Sequence, residues 1–403
     1  MTRTIFTGGL VVDGTGGTPA EADVVVEEGR IVDVGPGLDG DEVVDCSGAF
    51  VAPGFFDCHV HVTLDAPSQM RIMETPFSLQ FYSAALNLRK TLATGITSIR
   101  DAGGADLGVK EAVARGMIPG PRMQISVIML SQTGGHGDDW CLAGADAPFM
   151  VAHPGRPSGL VDGPYEVRRR VREIIRAGAD VIKVATTGGV LSPNDDPRHP
   201  HFRDDEIAEM TAEATAAGIH VMAHAQGAGG IKAALRNGVR SIEHGIFLDD
   251  EAIDMMLQRG AWLVPTLHAP RAVIAAAEAG LPIPKPSVDK AREVADAHLD
   301  SVRRAHEAGV RIAMGTDCGV GAHGTNLEEL ELMTEAGMSP LETLRATTGS
   351  AAELLDVADD RGTVRPGLRA DLVVVEGSPE DVTKLGGRVR DVYLDGVSVE
   401  RSE

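Results

Sequence analysis

The stretch GFFDCHVHV, Gly54 to Val62, sets two imidazoles, His59 and His61, two residues apart in an otherwise apolar run. Successive side chains of a strand point to opposite sides, so a strand here puts both histidines on one face and Cys58, Val60 and Val62 on the other. Neutral ring nitrogens suit borderline divalent cations. Two core histidines bonded to backbone are the competing reading of the isolated motif, and the rest of the chain must decide.

Seven further apolar runs follow: GITSIRDAG, MQISVIML, DVIKVATTGG, IHVMAHA, RSIEHG, AWLVPTL and VRIAMGTDCG. Between them lie helical patterns such as YEVRRRVREIIRAG, DDEIAEMTAEATAAG, DDEAIDMMLQRG and SVRRAHEAG, several opening on Asp as an N-cap and closing on Gly. Parallel strands need such crossovers, and eight near-continuous apolar strands favour an α/β fold of the (β/α)8 TIM-barrel kind over an open doubly wound sheet. The ends differ in texture. TIFTGGLVVDG, ADVVVEEGRIVDVG, ADLVVVEG and VRDVYLDGVSVE are short valine-rich runs broken by Gly and Asp-Gly turns. A lone pair of hairpins is marginal in water, so we expect residues 1–53 and 362–403 to combine into one small β-sandwich, with the barrel over 54–361.

Composition narrows the partners. With 59 Asp plus Glu against 37 Lys plus Arg, the formal net charge is −22, which argues against nucleic acid and anionic membranes. No N-terminal signal pattern and no long apolar span is evident, so a cytoplasmic protein with a small-molecule substrate is expected, assembled as a homo-oligomer. The four cysteines are far apart and read as reduced thiols.

In such a barrel, chemistry belongs at the C-terminal strand ends. There the first run carries His59 and His61, the fourth Lys183, the fifth His224, the sixth His244 and the eighth Asp317. Four histidines and a carboxylate at one height form a coherent donor set for a pair of divalent cations, zinc being the expected metal. Lys183 lies among aliphatic neighbours, where an unpaired charge is costly. Three escapes exist: a neutral amine, a Schiff base, or a carbamate formed with CO2. The carbamate fits best beside metal ligands, because it is an anionic two-oxygen bridge. Glu243, next to His244, is expected on the opposite face, in packing or a buried ion pair.

With these motifs in view, the sequence resembles the amidohydrolase superfamily, and within it the imidazolonepropionase-like and prolidase-like dipeptidase branch (Xaa-Pro or Xaa-Arg type). The resemblance spans essentially the whole chain, through PGFFDCHVHV, GITSIRDAGG, TGGHGD, VIKVATTGGV, VMAHAQG, SIEHG, GTDCG and GTVRPGLRADLVVVEG. It implies that His59, His61 and Asp317 hold the more buried metal and His224 and His244 the more exposed one, with carboxylated Lys183 between them. It further implies that Asp317 is the general base and that His136 orients the substrate carbonyl. Gln226 stands where the dipeptidases carry a tyrosine facing the substrate carboxylate, and Cys318 departs from the small or hydroxyl residue expected after the strand-eight aspartate. Gln226, His323, Arg198 and Arg203 are the expected substrate contacts.

The expected activity is therefore metal-dependent hydrolysis of a dipeptide or N-acyl amino acid with a free carboxylate. Cyclic amides, carbamates, esters and phosphotriesters stay open on the same site. A Schiff-base aldolase would not need four histidines. A superfamily aminohydrolase would carry a glutamate where Gly227 stands. A degenerate binding barrel would have lost a ligand or the base, and none is missing.

Overall fold

The computed structural model describes residues 2–65, 68–141, 143–192 and 195–400. The valine-rich ends form two sheets. One contains Thr4–Thr7, Asp23–Glu27, Arg30–Gly35 and Glu42–Asp45. The other mixes the ends of the chain: Ala49–Pro53 pairs antiparallel with Leu372–Glu376, which pairs in turn with Val389–Leu394. Side-chain alternation explains the unbroken valines of this second sheet. Val51, Leu372 and Val374 share a buried cluster with Phe6, Val24 and Val26 of the first sheet, while Phe50, Ala52, Val373 and Val375 face the main core. A strand buried on both faces has no polar side to display.

All eight central runs contribute parallel strands: Phe55–Val60, Ile96–Asp101, Arg122–Ile125 with Met129–Leu130, Val181–Ala185, His220–Gly227, Ser241–Phe247, Trp262–Val264 and Arg311–Ile312. The architecture is mixed α/β of the TIM-barrel type. Two runs depart from the sequence expectation. The third is interrupted at Val127, whose φ of 67° leaves the strand region, so its first half pairs with the second strand and its second half with the fourth. The eighth is a strand only at Arg311 and Ile312. Its continuation still bonds to the first strand: Cys58 N–H donates to Met314 O (2.9 Å), Asp317 N–H to His59 O (2.7 Å) and His61 N–H to Cys318 O (2.7 Å).

Helix signals held where a small polar cap was present. Asp249 accepts from Ala252 N–H, and Gly260 closes Asp250–Arg259 at φ 61°. Asp204–Ala216 starts differently. Arg203 is its N-cap residue, and Glu206 accepts the Arg203 N–H at 2.7 Å, leaving Asp204 inside the first turn. Gly54 joins the mixed sheet to the first parallel strand; a Cβ there would stand 2.2 Å from Thr97 Oγ1, so the close approach requires glycine. Beside it Arg122 bonds Asp371 (2.8 Å) and Asp395 (2.7 Å), tying the third parallel strand to the C-terminal strands. Among the described residues, no helix is long and apolar enough to cross a membrane, and all four cysteines are free.

Candidate active site

His59, His61, Lys183, His224, His244 and Asp317 all line one cavity of about 310 Å³. Asp317 Oδ1 lies 3.2 Å from His61 Nε2 and 3.6 Å from His59 Nε2. Lys183 Nζ is 3.1 Å from His59 Nε2. The His244 ring centroid is 5.1 Å from that of His59 and 4.7 Å from that of His224. One candidate ligand atom each from His59, His244 and Asp317 falls within 4.8 Å of the others. The structure thus assembles side chains from five strand ends that the sequence separates by up to 258 positions, Asp317 less His59.

The rings are aimed by their outward nitrogens. His59 Nδ1 meets Glu243 Oε2 (2.7 Å), His61 Nδ1–H donates to Gly103 O (2.8 Å), and His244 Nδ1 pairs with Thr266 Oγ1 (2.7 Å). Their Nε2 atoms are left for the cavity, the arrangement that metal-binding histidines require. His224 is turned the other way, Nε2–H donating to Gly188 O (3.0 Å), which leaves Nδ1. Backbone strain gathers here too: His244, Thr266 and Asp317 have φ of 73°, 56° and 62°. Non-glycine residues in that region persist only where the surroundings hold them.

Burial sets the charges. It drives His59, His224 and His244 well below the ordinary histidine range, toward the neutral form that binds cations. Burial also lowers Lys183 to about 8, against the pull of Glu243 and Asp317. For Asp317 burial works against ionisation, but His59 and His61 beside it hold the carboxyl below the usual carboxylate range. Among the described residues no carboxylate oxygen lies within 4 Å of Lys183 Nζ, and Asp317 Oδ1 is buried without a hydrogen-bond partner. A buried carboxylate oxygen close to imidazole nitrogens, with His59 and His244 driven toward the neutral form, is a donor set that divalent cations fit.

Beneath the cluster lies a polar layer that the sequence reading did not resolve. Glu243 is fully buried and accepts from Arg100 Nη2 (2.9 Å) and Ser241 Oγ (2.5 Å) besides facing His59. The expectation that it points away from His244 is corrected: the left-handed φ at His244 breaks strict alternation, and both side chains reach the interior. The ion-pair expectation does hold. Asp57, also fully buried, accepts from His59 N–H (3.1 Å), Thr316 N–H (3.1 Å), Thr316 Oγ1–H (2.6 Å) and Asn326 Nδ2–H (2.8 Å). The available signal was the presence of charges, Asp57, Arg100 and Glu243, inside otherwise apolar strands.

The other expected site residues separate into two groups. His136 lines the cavity, stacks on His224 at 4.1 Å and 19°, and bonds Ser192 Oγ through Nδ1 (2.8 Å). A Cβ on Gly189 would reach His136 Cε1 at 2.2 Å, so that glycine makes room for the ring. Gln226 is buried and lines a smaller adjoining pocket. His323 is not in the cavity wall; its Nε2–H donates to His61 O (3.2 Å), supporting the His61 backbone from behind. Arg198 and Arg203 also lie outside the wall. Arg198 pairs with Glu293 (2.5 Å) and lies over Phe247, and Arg203 is an exposed helix cap. In an acidic protein, surface arginines readily find carboxylates nearer than any substrate.

A family model described as Amidohydrolase family matches residues 50–399. The ochratoxinase of Aspergillus niger is 34% identical over 399 residues, covering 94% of this chain and 82% of that protein. Among solved structures, a Xaa-Pro dipeptidase with methionine bound in its active site matches with TM-score 0.90 and 33% identity, covering 99% of this chain and 100% of the other. A prolidase complexed with N-methylphosphonate-L-proline matches with TM-score 0.91 and 37% identity, covering 100% of both.

The polar layer yields a stability test. Glu243→Gln keeps the shape but leaves the Arg100 guanidinium buried without a carboxylate, and breaking a buried pair from one side costs about 3 kcal/mol. A lowered urea midpoint with an unchanged slope is the expected result; an unchanged midpoint would remove the pair from any structural role.

Proposed function

The chain belongs to the amidohydrolase family and is a hydrolase acting on carbon–nitrogen bonds, and from that premise we propose a binuclear, divalent-cation-dependent enzyme that cleaves the amide of a dipeptide or N-acyl amino acid with a free carboxylate. The observation that carries this reading is the convergence of six donors on one cavity around the unpartnered Asp317 Oδ1. His59, His61 and Asp317 would hold one cation, His224 and His244 the other, and Lys183, as a carbamate, would stand between them. Cations bound there, zinc in this reading, supply Lewis acidity toward a carbonyl oxygen and toward water.

The chain's own groups do the rest. Burial favours the neutral Lys183 amine, the form that adds to CO2. Asp317 takes the proton of the attacking water and delivers it to the leaving nitrogen. His136, held at Nδ1 by Ser192, offers Nε2 to the substrate carbonyl. Ile128, Met129, Phe149 and Leu160 in the cavity wall suit an apolar leaving residue. The reading includes a closed barrel, supported by the three bonds between the first and eighth runs, and a small β-sandwich of the terminal segments, supported by their shared core. It also includes a homo-oligomer, to which the exposed stripe Leu79, Tyr82 and Leu86 on the helix Leu79–Ala93 is suited. A second reading, cleavage of neutral amides such as lactams, is favoured by one observation: among the described residues no arginine lines the cavity.

Three outcomes are expected. Lys183→Ala should lose most activity together with part of its bound metal, and the parent protein labelled with 13CO2 should show a carbamate carbon signal that the variant lacks; a fully active variant would end the carbamate assignment. Asp317→Asn, nearly isosteric, should lower kcat by at least about 100-fold, whereas a change in KM alone would take the proton-transfer role from Asp317. Finally, N-acyl amino acids or dipeptides should be cleaved faster than their C-terminal amides. Equal rates, or turnover of lactams only, would move the assignment to the neutral-amide reading.

A further inference from the structure

Thr266 and Glu329 are fully buried and belong to no step of the chemistry above. Thr266 follows the strand Trp262–Val264 and has a φ of 56°. A β-branched residue in that region is an outlier, because its Cβ substituents crowd the backbone; glycine or asparagine takes the conformation more readily. The chain holds Thr266 there from both sides. Its N–H donates to Gly315 O (3.1 Å), which fixes the peptide plane before it. The plane after it carries the Leu267 N–H, which donates to Glu329 Oε1 (2.8 Å), and the N–H of His268 donates to Glu329 Oε2 (2.8 Å). Glu329, on the helix Glu328–Glu335, thus supplies the side-chain cap that the helix His268–Glu278 lacks at Leu267. Asn326, in the same segment, bonds Asp57 (2.8 Å). One short segment therefore braces the backbone behind His59 and the turn beside His244.

What the strained residue gains is the place of its hydroxyl, 2.7 Å from His244 Nδ1. Glycine and asparagine, the easier residues for this φ, have no hydroxyl on Cβ and would lose the contact. The main chain of His244 is held separately, since His298 Nε2–H donates to His244 O (2.9 Å). Ring rotation and tautomer are left to Thr266. A neutral imidazole has one N–H, and a hydroxyl that accepts at Nδ1 keeps the proton there and the Nε2 lone pair toward the cavity. We propose that Thr266 is a positioning residue that accepts the Nδ1–H of His244 and so selects its tautomer, and that Glu329, which lines neither the main cavity nor the pocket beside it, acts through Thr266. The inference rests on the metal-hydrolase reading and deepens it: control over the cation at His224 and His244 lies in a carboxyl group outside the cavity.

The test uses the full chain with 15N-labelled histidine. In the metal-free parent, the His244 ring, assigned by its loss in His244→Asn, should be the Nδ1–H tautomer. Thr266→Ser keeps the hydroxyl and should match the parent; Thr266→Val keeps the shape, removes the acceptor and should show the Nε2–H form. Zinc titration against a competing chelator gives the second readout. Of two equivalents bound by the parent, Thr266→Val should weaken one by at least about tenfold, the lower end for partners of metal-ligating histidines, and leave the other. Glu329→Gln, whose amide nitrogen cannot accept from an N–H, should weaken the same equivalent. A purely structural role would lower the urea midpoint and move neither tautomer nor affinity. That result, or an Nε2–H tautomer in the parent, overturns the proposal. Circular dichroism checks folding, and the Thr266→Ser and Thr266→Val pair decides the matter if Glu329→Gln does not fold. A parent that binds fewer than two cations overturns the binuclear reading, and the tautomer then decides the role of Thr266 by itself.

Discussion

Glu243 sits fully buried between the guanidinium of Arg100 and the Nδ1 of His59, and the rest of the site depends on that contact. A carboxylate removed from water survives only when cations and donors surround it, so the second and sixth strands, which supply Arg100 and Glu243, are tied to the first through His59. The same contact fixes the His59 ring. With Nδ1 committed to Glu243, Nε2 turns to the cavity, 3.1 Å from Lys183 Nζ. One buried charge thus sets the orientation of the His59 ring and the neighbourhood of the lysine together.

A second constraint lies at the meeting of the first and eighth runs. There regular strand pairing has almost ended, since Arg311–Ile312 is the whole eighth strand. Asp57 reinforces the few backbone bonds that remain there, accepting from the backbone of His59 and of Thr316, and from the side chains of Thr316 and Asn326. Burial raises its pKa to about 6, with those four donors opposing the shift. Asp317, next in sequence to Thr316, is held at a φ of 62°, and that turn brings its carboxylate to His61. The carboxylate two residues before the first histidine is in this sense what lets Asp317 leave the strand path.

How much of this could be read from sequence follows from which interactions are local. The eight apolar runs were legible because each strand is buried on both sides and carries its hydrophobicity continuously. The mixed terminal sheet was legible for the same reason. The convergence of His59, His61, Lys183, His224, His244 and Asp317 on one cavity was legible because they stand in or just after the parallel runs, on the side where fold geometry brings them together. What sequence could not give was partner identity. Glu243 reads as outward-facing until the left-handed His244 backbone is known, and His323 reads as substrate-facing until its bond to the His61 carbonyl is seen. Arg198 lies close in sequence to the fourth strand, yet Glu293, 95 positions away, claims it. Alternation and proximity along the chain fail wherever one unusual φ or one distant opposite charge intervenes.

Charge then bears on which amides can reach the site. At physiological ionic strength, charges beyond about 8 Å are largely screened, so the formal −22 of the whole chain matters less than Asp138, Asp139 and Asp146 in the cavity wall. In the proposed reading an N-acyl amino acid would arrive as an anion and meet that wall before it reached the cations proposed deeper in the cavity. A dipeptide arrives as a zwitterion, with no net charge to be repelled. The wall would act on encounter, through a field that salt weakens, whereas contacts made in the bound state are left intact by salt. A preference for zwitterionic over anionic substrates that vanished at high ionic strength would belong to the wall, because a preference made by contacts inside the cavity would survive the screening.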